Sequence, residues 1–252
     1  ALSLHTLATW IYEDSSLEKV NKKTISWLDS LSPEWIEQWK KYDTQITQTL
    51  QERLDTVCFS AETHELPSDK EAIYSVLKAV PPQFPVMVGN SMIPRDVTSM
   101  QPLTKHPWVI TQRGVAGIDG NVSTAIGLSL GYKKPLVCIV GDCTMLHDMT
   151  ALLSGGRCSH PLVIVVINNG GGKIFDTLPI AQQDPNLLNT YFTTPQAVDL
   201  ERLTGAFEFV DYIRIENRGA LSSIHDTLKT HLSSMQGGLT LVEIQTNGKQ
   251  LL

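Results

Sequence analysis

The sequence predicts an α/β fold: a doubly wound, mostly parallel sheet preceded by a mainly helical segment. Three observations carry this. From Ser68 onward, short apolar runs alternate with helical patterns, the rhythm of βαβ units. Leu162 to Ile167 is a continuous, mostly β-branched run, as a parallel strand covered on both faces requires. Residues 1–62 lack that rhythm and read as the tail of a preceding domain plus a connecting helix, with 63–252 as the second domain.

Each element has its own signal. Ser32-Pro33-Glu34 places a capping residue before a Pro at the first helical position. Trp35, Trp39, Tyr42, Ile46, Leu50 and Leu54 then recur at three- and four-residue steps, drawing one apolar stripe on a long helix. Trp35 and Trp39 are read as packing residues, and Cys58 to Pro67 as the most linker-like stretch. Ser68-Asp69-Lys70-Glu71 has the capping-box form and opens a helix through Lys78. Phe84–Val88 and Val109–Thr111 read as strands, and Asp119–Leu130 as a helix rich in small residues. Leu136–Val140 follows as a strand and Met145–Leu153 as a helix. Beyond the Leu162–Ile167 strand, Thr194-Pro195 opens a helix, Phe207–Ile215 is a strand, Ala220–Leu232 a helix and Leu239–Ile244 a last strand.

Composition excludes several function classes. The chain has 252 residues, 42% hydrophobic and 18% charged, with a net charge of −6. That balance suits a globular core and disfavours nonspecific nucleic-acid binding, which needs a basic face. No apolar run approaches the ~20 residues that span a bilayer, and no signal-peptide pattern opens the chain. The opening Ala1 is read as a sign of processing, truncation or proteolysis. Cys58, Cys138, Cys143 and Cys158 form no CxxC pair, which points to reduced thiols rather than zinc ligands or a redox dithiol.

In doubly wound sheets ligands sit beyond the C-terminal ends of strands. Two such ends are chemically loaded: Gly141-Asp142 after Leu136–Val140, and Asn168-Asn169-Gly170-Gly171-Gly172 after Leu162–Ile167. A carboxylate and an amide carbonyl are hard oxygen donors for a divalent cation. Glycines let the backbone approach a ligand and offer carbonyls. A helix beginning near Thr144 would aim free N–H groups at a diphosphate. Each feature alone is a common strand-end turn; the pair, separated by a helix–strand unit, is far more specific.

The pair resembles the thiamine-diphosphate signature that begins GDG and ends NN, with Cys143 in place of the usual third-position Gly. Gly89 to Asp96 (GNSMIPRD), Gln112 to Gly120 (QRGVAGIDG), Gly141 to Asp148 (GDCTMLHD) and Ile167 to Pro179 (INNGGGKIFDTLP) are similar, in order and spacing, to blocks of the MenD-type synthases. Those enzymes make 2-succinyl-5-enolpyruvyl-6-hydroxy-3-cyclohexene-1-carboxylate. The resemblance is strong from about residue 85 to 200 and looser elsewhere. It implies a diphosphate- and Mg²⁺-binding domain at 63–252, behind the end of a middle domain.

The resemblance also implies roles. Asp142, Asn169 and the Gly171 carbonyl would hold Mg²⁺, or Mn²⁺, against thiamine diphosphate. Gly89, Asn90, Gly141, Cys143, Thr144 and Ile174 would complete the cofactor site, with Ile118 beneath the cofactor. Arg95, Arg113 and Ser91 would act on substrate, the arginines pairing with carboxylates, and Ile174, Phe175 and Leu178 would wall the acceptor pocket. The implied substrates are 2-oxoglutarate, which loses CO₂, and isochorismate, the acceptor, in menaquinone or phylloquinone biosynthesis. A bacterial cytoplasm or a plastid would house it. A glutamate on an N-terminal pyrimidine-binding domain, from the same protein or a second subunit, would complete a homodimeric or homotetrameric enzyme, so this chain alone is expected to be inactive. The alternatives are another thiamine-diphosphate-dependent decarboxylase, an acetolactate-synthase relative, or a noncatalytic scaffold of the same fold. His147-Asp148 is not expected to form a dyad, since adjacent helical residues face apart; Lys173 lacks a phosphate-loop context and Ser154 a nucleophile elbow.

Overall fold

A computed structural model describes residues 33–59, 64–104, 106–234 and 237–248. The expected cap at Ser32, most of the segment 1–62 and the centre of the linker-like stretch lie outside them. The chain divides into two units, Ala1–Asp55 and Thr56–Leu252.

Helix α1 (Pro33–Phe59) follows the periodic apolar pattern. The expectation that its tryptophans are packing residues does not hold. Trp35 and Trp39 lean on each other with ring centroids 5.8 Å apart, yet stay 44% and 43% exposed. Tyr42, Ile46 and Leu50 are exposed as well, while Leu54 is buried. Residues four apart on a helix can shield only one side of each other.

In the second unit, α2 (Asp69–Ala79) starts at the expected capping box: the Ser68 hydroxyl accepts from Glu71 N, and the Glu71 carboxylate accepts from Ser68 N. There follow β1 (Val86–Val88), α3 (Ile93–Thr104), β2 (Val109–Thr111), α4 (Asn121–Tyr132), β3 (Leu136–Gly141), α5 (Asp142–His147) and β4 (Pro161–Asn168). The chain continues through the one-turn helices α6 (Ile180–Gln183) and α7 (Pro185–Leu188), then α8 (Leu200–Thr204), β5 (Val210–Ile215), α9 (Ile224–Leu232) and β6 (Gly238–Gln245). The six strands lie in the order β2-β1-β3-β4-β6-β5, and every pairing is parallel.

Three expectations needed adjustment. The helix foreseen at Met145–Leu153 begins at Asp142 and becomes a 3₁₀ segment over Met149–Arg157. Thr194-Pro195 opens no helix; Thr194 has φ 41° and closes a π turn, Asn189–Thr193, while the helix starts at Leu200 behind an Asp199 cap. The first turn of the expected Ala220–Leu232 helix is 3₁₀, from Gly219 to Ser223.

The central strands read as near-continuous apolar runs because both faces are covered. All of Pro161 to Ile167 is buried. One side of the sheet packs Met87, Cys138, Val140, Ile164 and Val166 against Val122, Ala125 and Ile126 of α4. Each such side chain removes roughly 1.5–3 kcal/mol worth of apolar surface from water. The register sets Gly141 of β3 beside Ile167 of β4, so the two loaded strand ends stop at the same height. Among the described residues no helix is long and apolar enough to cross a membrane.

Ser68→Ala should lower unfolding free energy by about 1 kcal/mol, the usual worth of such a cap, seen in urea unfolding as an earlier midpoint with an unchanged slope.

Candidate functional site

The two loops are tied together directly. Asp142 is 6% exposed; one carboxylate oxygen accepts from Cys143 N at 2.8 Å and the other from Gly171 N at 2.7 Å. Burial pushes the Asp142 carboxyl upward, the N–H groups of Cys143 and Gly171 pull it down, and the nearby Asp69 charge raises it again. The helix expected near Thr144 thus starts two residues earlier, with Asp142 occupying its first turn.

The glycine turn allows no other residue at its centre. Gly171 has φ 124°, and a Cβ there would lie 2.3 Å from Thr193 O. Gly172 N donates to the same carbonyl at 2.7 Å. Asn169 is oriented by its amide: Nδ2 donates to Asp69 at 2.8 Å. Its Oδ1 is buried, and no hydrogen-bond donor among the described residues reaches it. A buried amide oxygen left unpaired costs about 1–3 kcal/mol, so this atom marks a place for a ligand. The Gly171 carbonyl accepts from Lys173 N at 2.9 Å and keeps its second lone pair.

These groups border a cavity of about 600 Å³. Asp142, Asn169, Gly141, Cys143, Thr144 and Gly171 line it at the strand ends. Ser91, Ile118, Ile174 and Phe175 line it from other loops. Ser91 holds φ 69°, a conformation costing a non-glycine residue about 1–3 kcal/mol, and its carbonyl accepts from Arg95 Nη1 at 2.5 Å. Phe175 packs edge-on against Phe192, centroids 5.4 Å apart.

The remaining sequence candidates stand around the cavity rather than on its wall. Gly89 packs so close to β3 that a Cβ would meet Val140 Cγ1 at 2.9 Å. Asn90 is fully buried and braces the neighbouring loop, its Nδ2 donating to Val115 O at 3.0 Å and Gly117 O at 2.7 Å. Arg113 is exposed and donates to Asn90 Oδ1 at 3.4 Å. Arg95 is exposed, as is Leu178 at 45%. Asp148 caps α4, where Gly120 offers no side chain: it accepts from Ser123 N at 2.7 Å and Ser123 Oγ at 2.9 Å.

Sequence reasoning set aside two further wall residues, His147 and Lys173, and missed others, among them Phe192, Thr194 and Gln196. The last three follow a long excursion and carry no strand-end signal. It also passed over Asp69, visible in the sequence only as part of a capping box. Cys143, pushed up to about 11 by burial and then by the Asp142 charge, remains a thiol near neutrality.

Residues 92–244 match the family described as "Thiamine pyrophosphate enzyme, C-terminal TPP binding domain". The chain belongs to this family. As a C-terminal TPP-binding domain it resembles 2-succinyl-5-enolpyruvyl-6-hydroxy-3-cyclohexene-1-carboxylate synthases. It is 36% identical to that of Roseiflexus castenholzii over 72% of this chain and 30% of the relative. It is 30% identical to that of Listeria innocua over 87% and 35%, and 39% identical to that of Chloroflexus aurantiacus over 66% and 27%. It therefore spans about a third of the length of these curated relatives. Among solved structures, benzoylformate decarboxylase from Polynucleobacter necessarius superimposes with a TM-score of 0.58 at 15% identity, over 73% of this chain and 34% of that one. A protein from Mycobacterium smegmatis gives 0.55 at 22%, over 71% and 32%. Both confirm the fold of this TPP-binding domain.

Two outcomes are expected. Gly171→Ala should unfold at lower denaturant and open the turn, since backbone at Thr193 must give way. Asp96, buried beside Asp69, is pushed up to about 6 from 3.8 by burial first and by Asp69 second, with Lys70 and Arg95 opposing. Between those values the folded chain holds a proton that the unfolded chain has released, so stability should fall as pH rises from about 4 to 6. Asp96→Asn should flatten that slope in unfolding measured across the window.

Proposed function

We propose that this chain is the C-terminal part of a thiamine-diphosphate-dependent synthase that decarboxylates 2-oxoglutarate and adds the resulting four-carbon unit to isochorismate. The observation that carries the cofactor site is the buried Asn169 Oδ1, unpaired among the described residues, on a residue that lines the same cavity as Asp142. Asp142, Asn169 Oδ1 and the Gly171 carbonyl are hard oxygen donors suited to Mg²⁺, or Mn²⁺ in its place. The residues present fit the group that the family binds.

When bound, thiamine diphosphate supplies the electron sink for decarboxylation. The chain's own work is positioning and exclusion of water. Gly141, Cys143 and Thr144 line the cavity at the strand ends, where they would hold the diphosphate, and Ile118 would give the cofactor apolar support. Gly89 and Asn90 hold the neighbouring loops in place. Ile174 and Phe175 form an apolar wall that keeps water away from the reacting centre, with Leu178 at its rim. Ser91 presents a hydroxyl at the cavity edge. Arg95 and Arg113 are tethered to the loop that carries Ser91 and Asn90; turned toward the cavity, their guanidinium groups would pair with the substrates' carboxylates. What supports the substrate assignment is the likeness to the synthases above; the arginines supply the matching charge.

In this reading the complete enzyme is a homodimer or homotetramer whose N-terminal pyrimidine-binding domain supplies the activating glutamate, and it acts in a bacterial cytoplasm or a plastid.

In the complete protein, Asp142→Ala should abolish Mg²⁺-dependent binding of thiamine diphosphate, followed by calorimetry. Arg113→Ala should leave that binding intact and weaken use of 2-oxoglutarate, measured as CO₂ release, by about ten- to a hundredfold, the worth of one charged hydrogen bond. Equal loss of cofactor binding in both variants would defeat this division of roles.

A further inference from the structure

We propose that Asp69 is a positioning residue for the metal site: it holds the Asn169 amide so that its oxygen, not its nitrogen, faces the cavity. This deepens the reading above and rests on it. Asp69 lies upstream of the family match at 92–244 and does not line the cavity.

The geometry is a chain of directed hydrogen bonds. An amide is nearly symmetric in shape, and turning it over exchanges its oxygen for an NH₂. A metal accepts only the oxygen. The orientation must therefore be set by a neighbour, and an ionised carboxylate can only accept. Asp69 Oδ2 accepts a hydrogen bond from Asn169 Nδ2 at 2.8 Å, which leaves Oδ1 pointing away from Asp69 with no donor among the described residues. Asp69 is itself fixed from two further elements. It stands in the first turn of α2, behind the Ser68 cap. Its other oxygen accepts from Thr246 Oγ1 at 2.5 Å, just past the end of β6, where Thr246 N donates to Asn168 O at 2.9 Å. Helix, sheet edge and glycine turn thus meet on one carboxylate. Outer partners that orient metal-bound side chains typically govern 10–100-fold in metal affinity.

An exchange of donor and acceptor tests this. In Asp69→Asn the Thr246 hydroxyl, which donates to Asp69 and has only a longer contact to Asn168 O, favours the carbonyl oxygen, and that puts an NH₂ against the Asn169 NH₂. Turning Asn169 relieves the clash and puts its NH₂ toward the cavity. In Asn169→Asp alone, two carboxylates face each other. In Asp69→Asn/Asn169→Asp one N–H···O bond is restored, and a carboxylate oxygen again faces the cavity. The readout is Mg²⁺-dependent binding of thiamine diphosphate to the complete protein by calorimetry, with circular dichroism and thermal unfolding to verify folding. Each single variant should bind about 10–100-fold more weakly, and the double variant should recover most of the loss, a strongly non-additive pair. A purely structural role for Asp69 would give no recovery on changing Asn169. Unchanged binding in Asp69→Asn, or a double variant as weak as the two losses combined, overturns the proposal while leaving the cofactor site standing. Absence of Mg²⁺-dependent binding in the unaltered protein overturns the site itself.

Discussion

The site depends on one hydrogen bond between strand ends, from Gly171 N to the Asp142 carboxylate. It exists because β3 and β4 are adjacent and parallel, with Gly141 beside Ile167. In a parallel sheet both chains leave the same edge, so the residues that follow emerge together. Asp142 begins a short helix at that point, and the β4 chain turns sharply on glycines. The carboxylate then bridges the two departures. Its burial carries an electrostatic cost, visible in the upward push on its carboxyl, which the N–H groups of Cys143 and Gly171 partly offset. In the proposed reading a divalent cation would relieve the remainder.

Asp69, Asp96 and Asp142 concentrate negative charge beneath the strand ends, and burial and mutual repulsion raise both Asp96 and Asp142. Polar groups stripped of water at this density are stabilising only when paired. Among the described residues, Asn169 Oδ1 and one oxygen of Asp96 are not. The fold tolerates them because the surrounding sheet, with Pro161 to Ile167 wholly buried, over-determines the backbone.

The sheet was legible because its strands are covered on both faces and read as apolar runs. The ends of β3 and β4 were found within a residue or two. The two loops at the ends of β3 and β4 were legible because Gly, Asp and Asn at strand ends have few other uses in that combination. Elsewhere the local signal and the outcome diverged. Thr194-Pro195 has the form of a helix start, but Thr194 is held at positive φ where the chain returns to the glycine turn, and tertiary contact outweighs propensity there. The stripe on α1 gave the helix correctly and its burial wrongly, since periodicity states which side is apolar and not what covers it. Phe192 and Gln196 reach the cavity from far along the chain, and Asp69 acts through a neighbour. None of these leaves a pattern in the primary sequence.

The span from Lys173 to Phe192 is clasped at its base, where Gly172 N donates to Thr193 O. Its one-turn helices α6 and α7 form locally, the second under an Asp184 cap. Asp142 and Asn169 lie before that clasp in the chain, and the cavity-lining Ile174 and Phe175 lie within the span. The span therefore presents Ile174 and Phe175 to the cavity from a loop of its own, and a change in its length would move that wall while Asp142 stays anchored on Cys143 N.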